Sequence, residues 1–448
     1  MGCTAFLTKR HARWRACRQQ AMLRLSAEEP VIRDSAIDQA IVDPNVYASE
    51  RDYHELFRKL RHSDPVHWTQ PAGHEPFWAV TKHADIVEIE RQNNRFLNAP
   101  RLNMRPDEFE VHLRARFKGQ PPFRMIVNMD DPDHRKYRAL AQSWFLPANL
   151  RKLDDHIAAL AKEFVDRMED MGGKCDFVQD IAVWYPLRVI MMILGIPHED
   201  ERLMLRLTQQ SLGAEDPEIT GQKDSKETRA QSLGAFLDYF RALAADRRRS
   251  PQDDLATVLA HAEIDGNPIG ELEVISYYFV IATAGHDTTS SSLSGGLLAL
   301  LENPDELKKL QGNLDLLPTA VEEMIRWVTP VKHFLRTATE DYVLRGRNIK
   351  AGERLMMCYP SANRDEDLFE DPFAFKVDRA PNKQLAFGIG VHQCLGLHLA
   401  RMEMRGFYKE LLSRLDSVKL SGEPANVAAT FISGPKRLPI EYTMKKNA

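Results

Sequence analysis

The chain has 448 residues and the composition of a globular protein, with 43% apolar and 28% charged residues. Lysine and arginine together number 60 against 64 acidic residues, so the net charge is −4 and no strongly basic domain indicates a nucleic-acid partner. No apolar run is long enough for stable membrane insertion. The five cysteines lack the spacing of a disulfide framework, which favours a reducing cytoplasmic compartment.

The first 30 residues differ from the rest of the chain because they are strongly basic. Six lysines and arginines precede residue 25 without one acidic residue. A transit-like segment or an acylated Met-Gly-Cys start would also fit this pattern, but we expect a disordered tail outside the fold. Residues 31–448 then form a single domain, since no internal repeat or Gly/Ser linker divides them.

The predicted elements begin with a β-hairpin. Its strands are the apolar and aromatic runs at residues 66–68 and 77–80, on either side of a proline-containing turn. Residues 91–130 have the irregular composition of a long functional loop. Helical periodicity dominates from residue 132 to about 249, and the polar residues 211–226 within it predict a mobile connection between two helices.

The C-terminal half predicts further helices and only short strands. A long helix runs from near Ile269 to just before Pro304, and a second begins at Pro318. Short strands occupy residues 334–357, and another helix spans residues 397–415. The fold class is therefore mainly α with small β-sheets, which argues against a parallel doubly wound domain.

The run from Phe387 to Gly396 is the most informative segment. It crowds three glycines around the lone Cys394, just before a helix. Such a loop can direct backbone N–H groups at the sulfur, which would lower the thiol pKa and hold the thiolate. A buried structural cysteine is the common alternative. A zinc site of His392, Cys394 and His398 is another, although no second ligand cluster completes it.

Three weaker motifs lie earlier in the chain. Glu323 and Arg326 stand at i and i+3 on one helical face, where an exposed ion pair would contribute little. The segment Ala284–Thr289 has a low helix propensity, and its threonines can bond a carbonyl one turn back and open a groove. His134 and Arg138 lie one helical turn apart, as solvated surface residues often do. Each motif alone also has an ordinary structural interpretation.

Together, the four signals occur in the order HxxxR, AGxDTT, ExxR and FGxGxHxCxG. This conjunction resembles the haem-thiolate cytochrome P450 superfamily, over nearly all of the chain after about residue 35. The resemblance implies that haem b lies between the long central helix and the helix after the cysteine loop, with Cys394 as the axial iron ligand. The other residues implied to contact haem are His134, Arg138, Ala284, Gly285, Arg336, Phe387, Gly388, His392 and Gly396.

The resemblance also implies roles for residues away from the iron. Asp287 and Thr288 would relay protons through water to bound O2. Glu323, Arg326 and Arg379 would form a structural ion network that fixes the cysteine loop.

Two segments, residues 281–292 and 361–366, are similar to the soluble bacterial α-terpineol hydroxylase type within this family. The similarity implies a monomeric enzyme that hydroxylates a small apolar substrate, either a monoterpenoid or a cyclic or aromatic hydrocarbon, with O2. The residues implied to line the substrate pocket are Val127, Val280, Thr283, Ala284, Phe334, Phe431 and Ile432.

The sequence contains no reductase motif, such as GxGxxG after a predicted strand. Electrons would therefore come from another protein, most simply an iron–sulfur ferredoxin with its reductase. Two other functions remain open: a peroxide-using haem-thiolate enzyme and a non-catalytic haem-based ligand sensor. Asp287 and Thr288 argue against both, because neither function needs a proton relay.

Overall fold

The computed structural model describes residues 35–116, 123–213, 215–221 and 225–445, so the tail predicted for residues 1–30 lies outside the described residues. Helices dominate the described chain. Their bounds are α1 Ser35–Val42, α2 Pro44–Ala48, α3 Glu50–Ser63, α4 His83–Glu90, α5 Asp107–Arg116, α6 Asp133–Gln142, α7 Pro147–Leu150, α8 Asp154–Asp170, α9 Trp184–Leu194, α10 Glu201–Leu212, α11 Pro217–Thr220, α12 Ser225–Arg249, α13 Leu255–Ala260, α14 Glu271–Ala284, α15 Asp287–Glu302, α16 Pro304–Gly312, α17 Leu317–Val328, α18 Tyr359–Ala362 and α19 Leu397–Arg414.

The strands are short and belong to small sheets. Their bounds are β1 Val66–Thr69, β2 Phe77–Val80, β3 Phe96–Leu97, β4 Lys174–Asp176, β5 Glu263–Ile264, β6 Asn267–Pro268, β7 His333–Ala338, β8 Tyr342–Leu344, β9 Arg347–Ile349, β10 Arg354–Cys358, β11 Leu415–Leu420, β12 Ala425–Asn426, β13 Pro435–Arg437 and β14 Pro439–Met444. Strands β1 and β2 pair antiparallel, with Val66 opposite Val80, so the predicted hairpin is confirmed. The largest sheet has the order β1-β2-β10-β7-β3.

Helix α15 lies in the interior and packs closely against its neighbours through small residues. A Cβ atom on Gly295 would lie 2.5 Å from Val328 of helix α17, and one on Gly296 would lie 2.9 Å from Met324 of the same helix. The Tyr408 hydroxyl of helix α19 donates to Leu293 O at 2.6 Å. The helix that carries the AGxDTT motif is therefore fixed against both the ExxR helix and the helix after the cysteine loop.

The predicted long central helix is interrupted, which corrects the expectation of one continuous element. Helix α14 ends at Ala284 and helix α15 begins at Asp287. Between them, a Cβ atom on Gly285 would lie 2.4 Å from Ile190 Cδ1, so glycine allows helix α9 to approach the break. His286 has φ −98° and ψ −70°, away from the centre of the helical region.

Two predicted loops contain more structure than expected. Residues 91–130 include helix α5 and a 3₁₀ turn at Ile126–Asn128, and helix α5 buries Phe109 beneath the Arg105 guanidinium. Residues 211–226 include helix α11, where the Asp216 carboxylate accepts the Glu218 N–H at 2.9 Å and caps the first turn. Within the part of the chain that the structure describes, no helix combines the length and apolar character needed to cross a membrane.

Candidate active site

The cysteine loop folds as a tight turn that leaves the Cys394 side chain exposed. The Cys394 N–H donates to Phe387 O at 2.8 Å and closes the loop on itself. Gly388 and Gly390 have φ values of 63° and 79°, a left-handed conformation that other residues rarely adopt. A Cβ atom on Gly390 would also lie 2.5 Å from the Glu90 backbone oxygen. The close approach of this loop to helix α4 therefore depends on glycine.

The pKa of the Cys394 thiol is raised, because surrounding protein desolvates the sulfur. The Gly396 N–H and the guanidinium groups of Arg138 and Arg401 act in the opposite direction but do not outweigh that burial. The expectation of a lowered thiol pKa is therefore wrong for the polypeptide by itself. Because the Cys394 sulfur is accessible and yet surrounded by protein atoms, we infer that it faces an internal recess. A metal ion bound to the sulfur would deprotonate the thiol directly.

Basic side chains gather beside the loop. The rings of His134 and His392 lie in contact, with centroids 3.9 Å apart and planes tilted by 40°, and Arg138 Nη2 donates to Gln393 O at 2.8 Å. Desolvation and the charges of His134, Arg336 and Arg138 lower the pKa of His392 to about 2. Desolvation and Arg138 also lower the pKa of His134. We call His134, Arg138 and His392 the basic cluster, and a bound anion would favour the protonated forms of its two histidines.

Arg336 points toward this region but already has an acidic partner. Its Nη2 donates to Glu90 Oε1 at 2.7 Å, and the Tyr359 hydroxyl donates to the same oxygen at 2.5 Å. The Ile389 N–H donates to Glu90 Oε2 at 3.1 Å. The Glu90 carboxylate thus joins strand β7 to the cysteine loop. Sequence reasoning missed Glu90, because it lies 299 residues before Ile389 and belongs to no motif.

Glu323, Arg326 and Arg379 meet in a buried ion network. Arg326 donates from Nε and Nη2 to the two Glu323 carboxylate oxygens, both at 2.7 Å. Arg379 Nε lies 3.0 and 3.1 Å from the same oxygens, while its other nitrogens donate to backbone carbonyls within residues 370–374. Burial alone would raise the pKa of Glu323, but Arg326 and Arg379 outweigh it and the pKa is lowered. The network connects helix α17 to the coil before the cysteine loop.

The helix break exposes one small residue. Ala284 is exposed, whereas residues 274–283 before it are all buried. The Thr288 hydroxyl donates to Ala284 O at 2.8 Å, and the Thr289 hydroxyl donates to Gly285 O at 3.3 Å. The two threonines thus bind carbonyls at the break, which stabilises a local opening beside Ala284.

Asp287 follows the break and has an unusual environment. Its Oδ1 lies 3.1 Å from His286 Nδ1, and its Oδ2 is buried without a hydrogen-bond partner among the described residues. Burial raises the pKa of Asp287, although the charge of His286 opposes that shift. Asp287 also lines a cavity of about 360 Å³ with Ser290 and Ser291. Such a carboxyl group is suited to exchanging protons.

Two of the aromatic residues predicted to line the substrate pocket lie together. The rings of Phe334 and Phe431 have centroids 5.5 Å apart, and both side chains are partly exposed. His333 contacts Phe431 from the opposite side, with the centroids 5.6 Å apart. This pair joins strand β7 to the segment before strand β13.

The remaining predicted pocket residues lie on helix α14, on the 3₁₀ turn and directly after Phe431. Val280 and Thr283 are buried in helix α14, and the Thr283 hydroxyl donates to Phe279 O at 2.8 Å, so its oxygen is left to accept from a ligand. Val127 is partly buried in the 3₁₀ turn. Ile432 lines the same cavity as Asp287.

The recess at Cys394 fits the haem that the resemblance implies. It offers one accessible sulfur and, beside it, basic groups suited to propionates. The zinc alternative does not form, because the described His, Cys, Asp and Glu side chains nowhere converge in a group of three that could hold a metal ion.

Comparisons with known proteins agree with this geometry. The family model for Cytochrome P450 matches residues 219–438. Cytochrome P450-terp from a Pseudomonas species is 42% identical over 416 residues, which cover 91% of this chain and 97% of that protein. A steroid C26-monooxygenase from Mycolicibacterium smegmatis is 32% identical over 401 residues, which cover 87% of this chain and 90% of that protein.

A solved structure is similar over almost the same length. The crystal structure of CYP108D1 from Novosphingobium aromaticivorans has a TM-score of 0.85 and 42% sequence identity, covering 92% of this chain and 99% of that chain. These comparisons confirm the predicted fold class, the haem b cofactor and the monooxygenase class. The chain belongs to the cytochrome P450 family of haem-dependent monooxygenases.

Proposed function

We propose that this monooxygenase hydroxylates a small apolar substrate, either a monoterpenoid or a cyclic or aromatic hydrocarbon, at haem ligated by Cys394. The observation that carries the ligand assignment is the exposed but desolvated Cys394 sulfur beside the basic cluster. When bound, haem b supplies the iron at which O2 is activated. Cys394 would hold the haem iron through its thiolate, and the closed glycine loop would keep that sulfur in place.

The basic cluster holds the haem propionates in this proposal. Arg138 would supply positive charge, and His134 and His392 would supply ring N–H donors; an arginine suits a carboxylate because its donors form a planar fork. Arg336 contributes a weaker attraction, because Glu90 already neutralises part of its charge. Phe387 covers the loop, with the Arg401 guanidinium 4.6 Å from its ring centroid.

Asp287 and Thr288 handle protons in the proposed reaction. The Thr288 hydroxyl hydrogen is directed to Ala284 O, so its oxygen can accept a hydrogen bond from water. Asp287 holds and passes on a proton. Thr288→Ala should keep substrate binding but divert electrons from product to hydrogen peroxide. Unchanged coupling in this variant and unchanged turnover in Asp287→Asn would favour a peroxide-using enzyme or a sensor.

The proposed substrate is small because the 42% identical relative is Cytochrome P450-terp, whereas the steroid C26-monooxygenase is 32% identical. Val127, Val280, Thr283 and Ile432 would complete a mostly apolar pocket, in which the Thr283 oxygen orients the substrate.

The proposed electron donor is an iron–sulfur ferredoxin with its own reductase. Exposed basic side chains beside the cysteine loop suit an acidic partner, and the Arg135 side chain is 82% exposed one residue after His134. We further propose that residues 31–448 act as one domain in a monomeric, cytoplasmic enzyme. The free thiols of Cys175 and Cys358 are consistent with a reducing compartment.

Absorption spectra of the purified protein test the proposal. The reduced protein under carbon monoxide should show the red-shifted Soret band of thiolate ligation. Cys394→Ser should lose this band, whereas the control Cys175→Ser, at a free cysteine in strand β4, should keep it. A band that survives in Cys394→Ser would refute the ligand assignment.

The substrate class needs a separate screen. Monoterpene alcohols, alkylated aromatic hydrocarbons and a steroid should be compared by the low-to-high-spin change that each causes. Tighter binding of the steroid than of the small ligands would contradict the proposed class. Turnover supported by a ferredoxin and its reductase, and lost without them, would support the proposed electron donor.

A further inference from the structure

His286 lies at the break between helices α14 and α15, and its side chain is fully buried. Its Nε2 is 2.8 Å from Val183 O, next to helix α9. Its Nδ1 is 3.2 Å from Thr208 Oγ1 of helix α10 and 3.1 Å from Asp287 Oδ1. The imidazole thus connects the broken helix to two neighbouring helices and to the adjacent acid.

The hydrogen bonds around this ring determine where its protons lie. A backbone carbonyl only accepts, so Nε2 must carry a hydrogen. The Thr208 hydroxyl donates to Leu205 O at 2.9 Å, which leaves its oxygen as an acceptor toward Nδ1. The Asp287 carboxylate is also an acceptor. With the Thr208 hydroxyl bonded to Leu205 O and Asp287 ionised, both contacts of Nδ1 are satisfied when it carries a hydrogen, and an imidazole with two ring hydrogens is a cation.

The other charged groups near Asp287 are already paired with one another. Asp287 shares its cavity with Glu218, Lys436 and Arg437, and both cations form ion pairs with Glu218. Asp287 Oδ2 has no hydrogen-bond partner among the described residues. The His286 cation is therefore the group that compensates the carboxylate, since an uncompensated buried carboxylate would take up a proton.

We propose that His286 is a positioning residue that stays protonated and keeps Asp287 ionised. Its Nδ1–H holds Asp287 Oδ1, which leaves Oδ2 to accept a proton from water and pass it toward Thr288. His286 keeps its own proton, so one proton enters the carboxylate and one leaves it in each transfer. This inference rests on the proposed function only for the last transfer, from Asp287 toward Thr288.

Nitrogen-15 NMR of the haem-loaded protein tests the charge on His286. In the ferrous carbon monoxide form, which is diamagnetic, both ring nitrogens should be protonated at about pH 7. The signal is assigned by its loss in His286→Gln. Asp287→Asn, which removes the carboxylate, should convert the ring to its neutral form. An unprotonated His286 nitrogen in the parent protein would overturn the proposal.

Infrared difference spectra test the ionisation of Asp287. The parent protein should show no carboxylic acid band that Asp287→Asn removes. His286→Gln should create such a band, because glutamine can still donate to Val183 O but carries no charge. The band should disappear again in the double variant His286→Gln/Asp287→Asn. A carboxylate that stays ionised in His286→Gln would overturn the proposal.

Two controls separate this role from a purely structural one. His83→Gln removes another histidine that contacts a backbone carbonyl, Lys383 O at 2.9 Å, and should leave the infrared spectrum unchanged. An unshifted carbon monoxide Soret band in His286→Gln should show that the haem site is intact. The NMR and infrared measurements use neither a substrate nor a ferredoxin, since a chemical reductant gives the ferrous form, so failure of the proposed substrate class or ferredoxin would leave both results unchanged.

Discussion

The buried ion network and the basic cluster both contain arginines near the cysteine loop, but only the network has its own counter-charge. In the network, the Glu323 carboxylate faces Arg326 and Arg379, and the pKa of Glu323 is lowered as a result. In the basic cluster, desolvation and the neighbouring basic groups, Arg138 among them, lower the pKa of His392 to about 2 and so keep its ring neutral.

This difference separates residues that complete the fold from residues that need a ligand. A satisfied network stabilises the folded chain whether or not a cofactor is bound. A group of basic side chains whose protonation is disfavoured binds an anion favourably, and the anion in turn favours the protonated forms. Variants in the network should therefore affect folding, whereas variants in the cluster should affect cofactor retention.

The largest expected effect is on the network. Glu323→Gln leaves Arg326 and Arg379 without their carboxylate, and breaking a buried pair in this way typically costs about 3–5 kcal/mol in the free energy of unfolding. Denaturant unfolding of the haem-loaded protein measures the loss. Because the pKa of Glu323 is lowered on folding, its contribution is present above the unfolded pKa and is lost as pH falls through the folded pKa. The variant should lack this acid-sensitive part.

Glu322→Gln is the matched control for that prediction. Glu322 precedes Glu323 on helix α17 and pairs with Arg401, but both side chains are about a quarter exposed. Its loss should cost less than about 1 kcal/mol, as is usual for partly solvated pairs. Equal losses in the two variants would show that burial does not distinguish the network.

The next effect concerns the basic cluster and cofactor retention. Arg138→Gln should remove a charge-assisted hydrogen bond to a propionate, worth about 1.5–3 kcal/mol, so haem should dissociate about 10- to 150-fold faster. Transfer of haem to apomyoglobin measures this rate. The haem-free protein should not lose stability, because desolvation already disfavours the Arg138 cation and lowers its pKa.

Arg135→Gln tests whether haem retention depends on where the positive charge lies or only on the total charge of this region. Arg135 lies on the same helix, and its side chain is 82% exposed. Haem should dissociate from this variant at the parent rate. Faster loss from Arg135→Gln than from Arg138→Gln would mean that overall charge, and not the cluster, retains haem.

Local patterns in the sequence predicted several elements well. Helix α19 starts at Leu397 as expected, and the hairpin of strands β1 and β2 forms at the predicted residues. The start of the ExxR helix was also placed within one residue, because Pro318 favours the first turn. In each case, turn residues and periodicity decide the structure without help from distant contacts.

Contacts between distant residues account for what the sequence did not predict. Gly285 and the threonines signalled poor helix formation, but the break itself depends on His286 reaching Val183 O and Thr208. Glu90 gave no signal, because its carboxylate meets Arg336 only after folding. The predicted lowering of the Cys394 pKa was wrong for the same reason. The loop sequence indicates N–H groups near the sulfur, but it does not indicate how far the whole fold desolvates that sulfur.

A smaller effect is expected at Glu90. Its carboxylate pairs with an arginine, as in the network, but it contacts the cysteine loop, beside which the basic cluster lies. Glu90→Gln should leave the Arg336 charge uncompensated near the haem, which favours the reduced state. We expect the midpoint potential to rise on the order of tens of millivolts. Spectroelectrochemical titration measures it. Glu88→Gln is the control, because Glu88 lies on the same helix as Glu90 and accepts an exposed hydrogen bond from the Tyr342 hydroxyl. An equal rise in this variant would exclude a specific role for Glu90.

The smallest expected effect concerns the paired rings of the proposed pocket. Phe334→Ala and Phe431→Ala should cost less than the roughly 3–5 kcal/mol typical of a fully buried phenylalanine, because both rings are partly exposed. The space they leave should weaken binding of small monoterpenes, because these ligands lose contacts with the rings. It should improve binding of larger ring systems, because these ligands gain room. Spin-state titrations across a size series measure this change in ranking. If both variants lose stability but keep the parent's ranking, the rings belong to the core and substrate binds elsewhere.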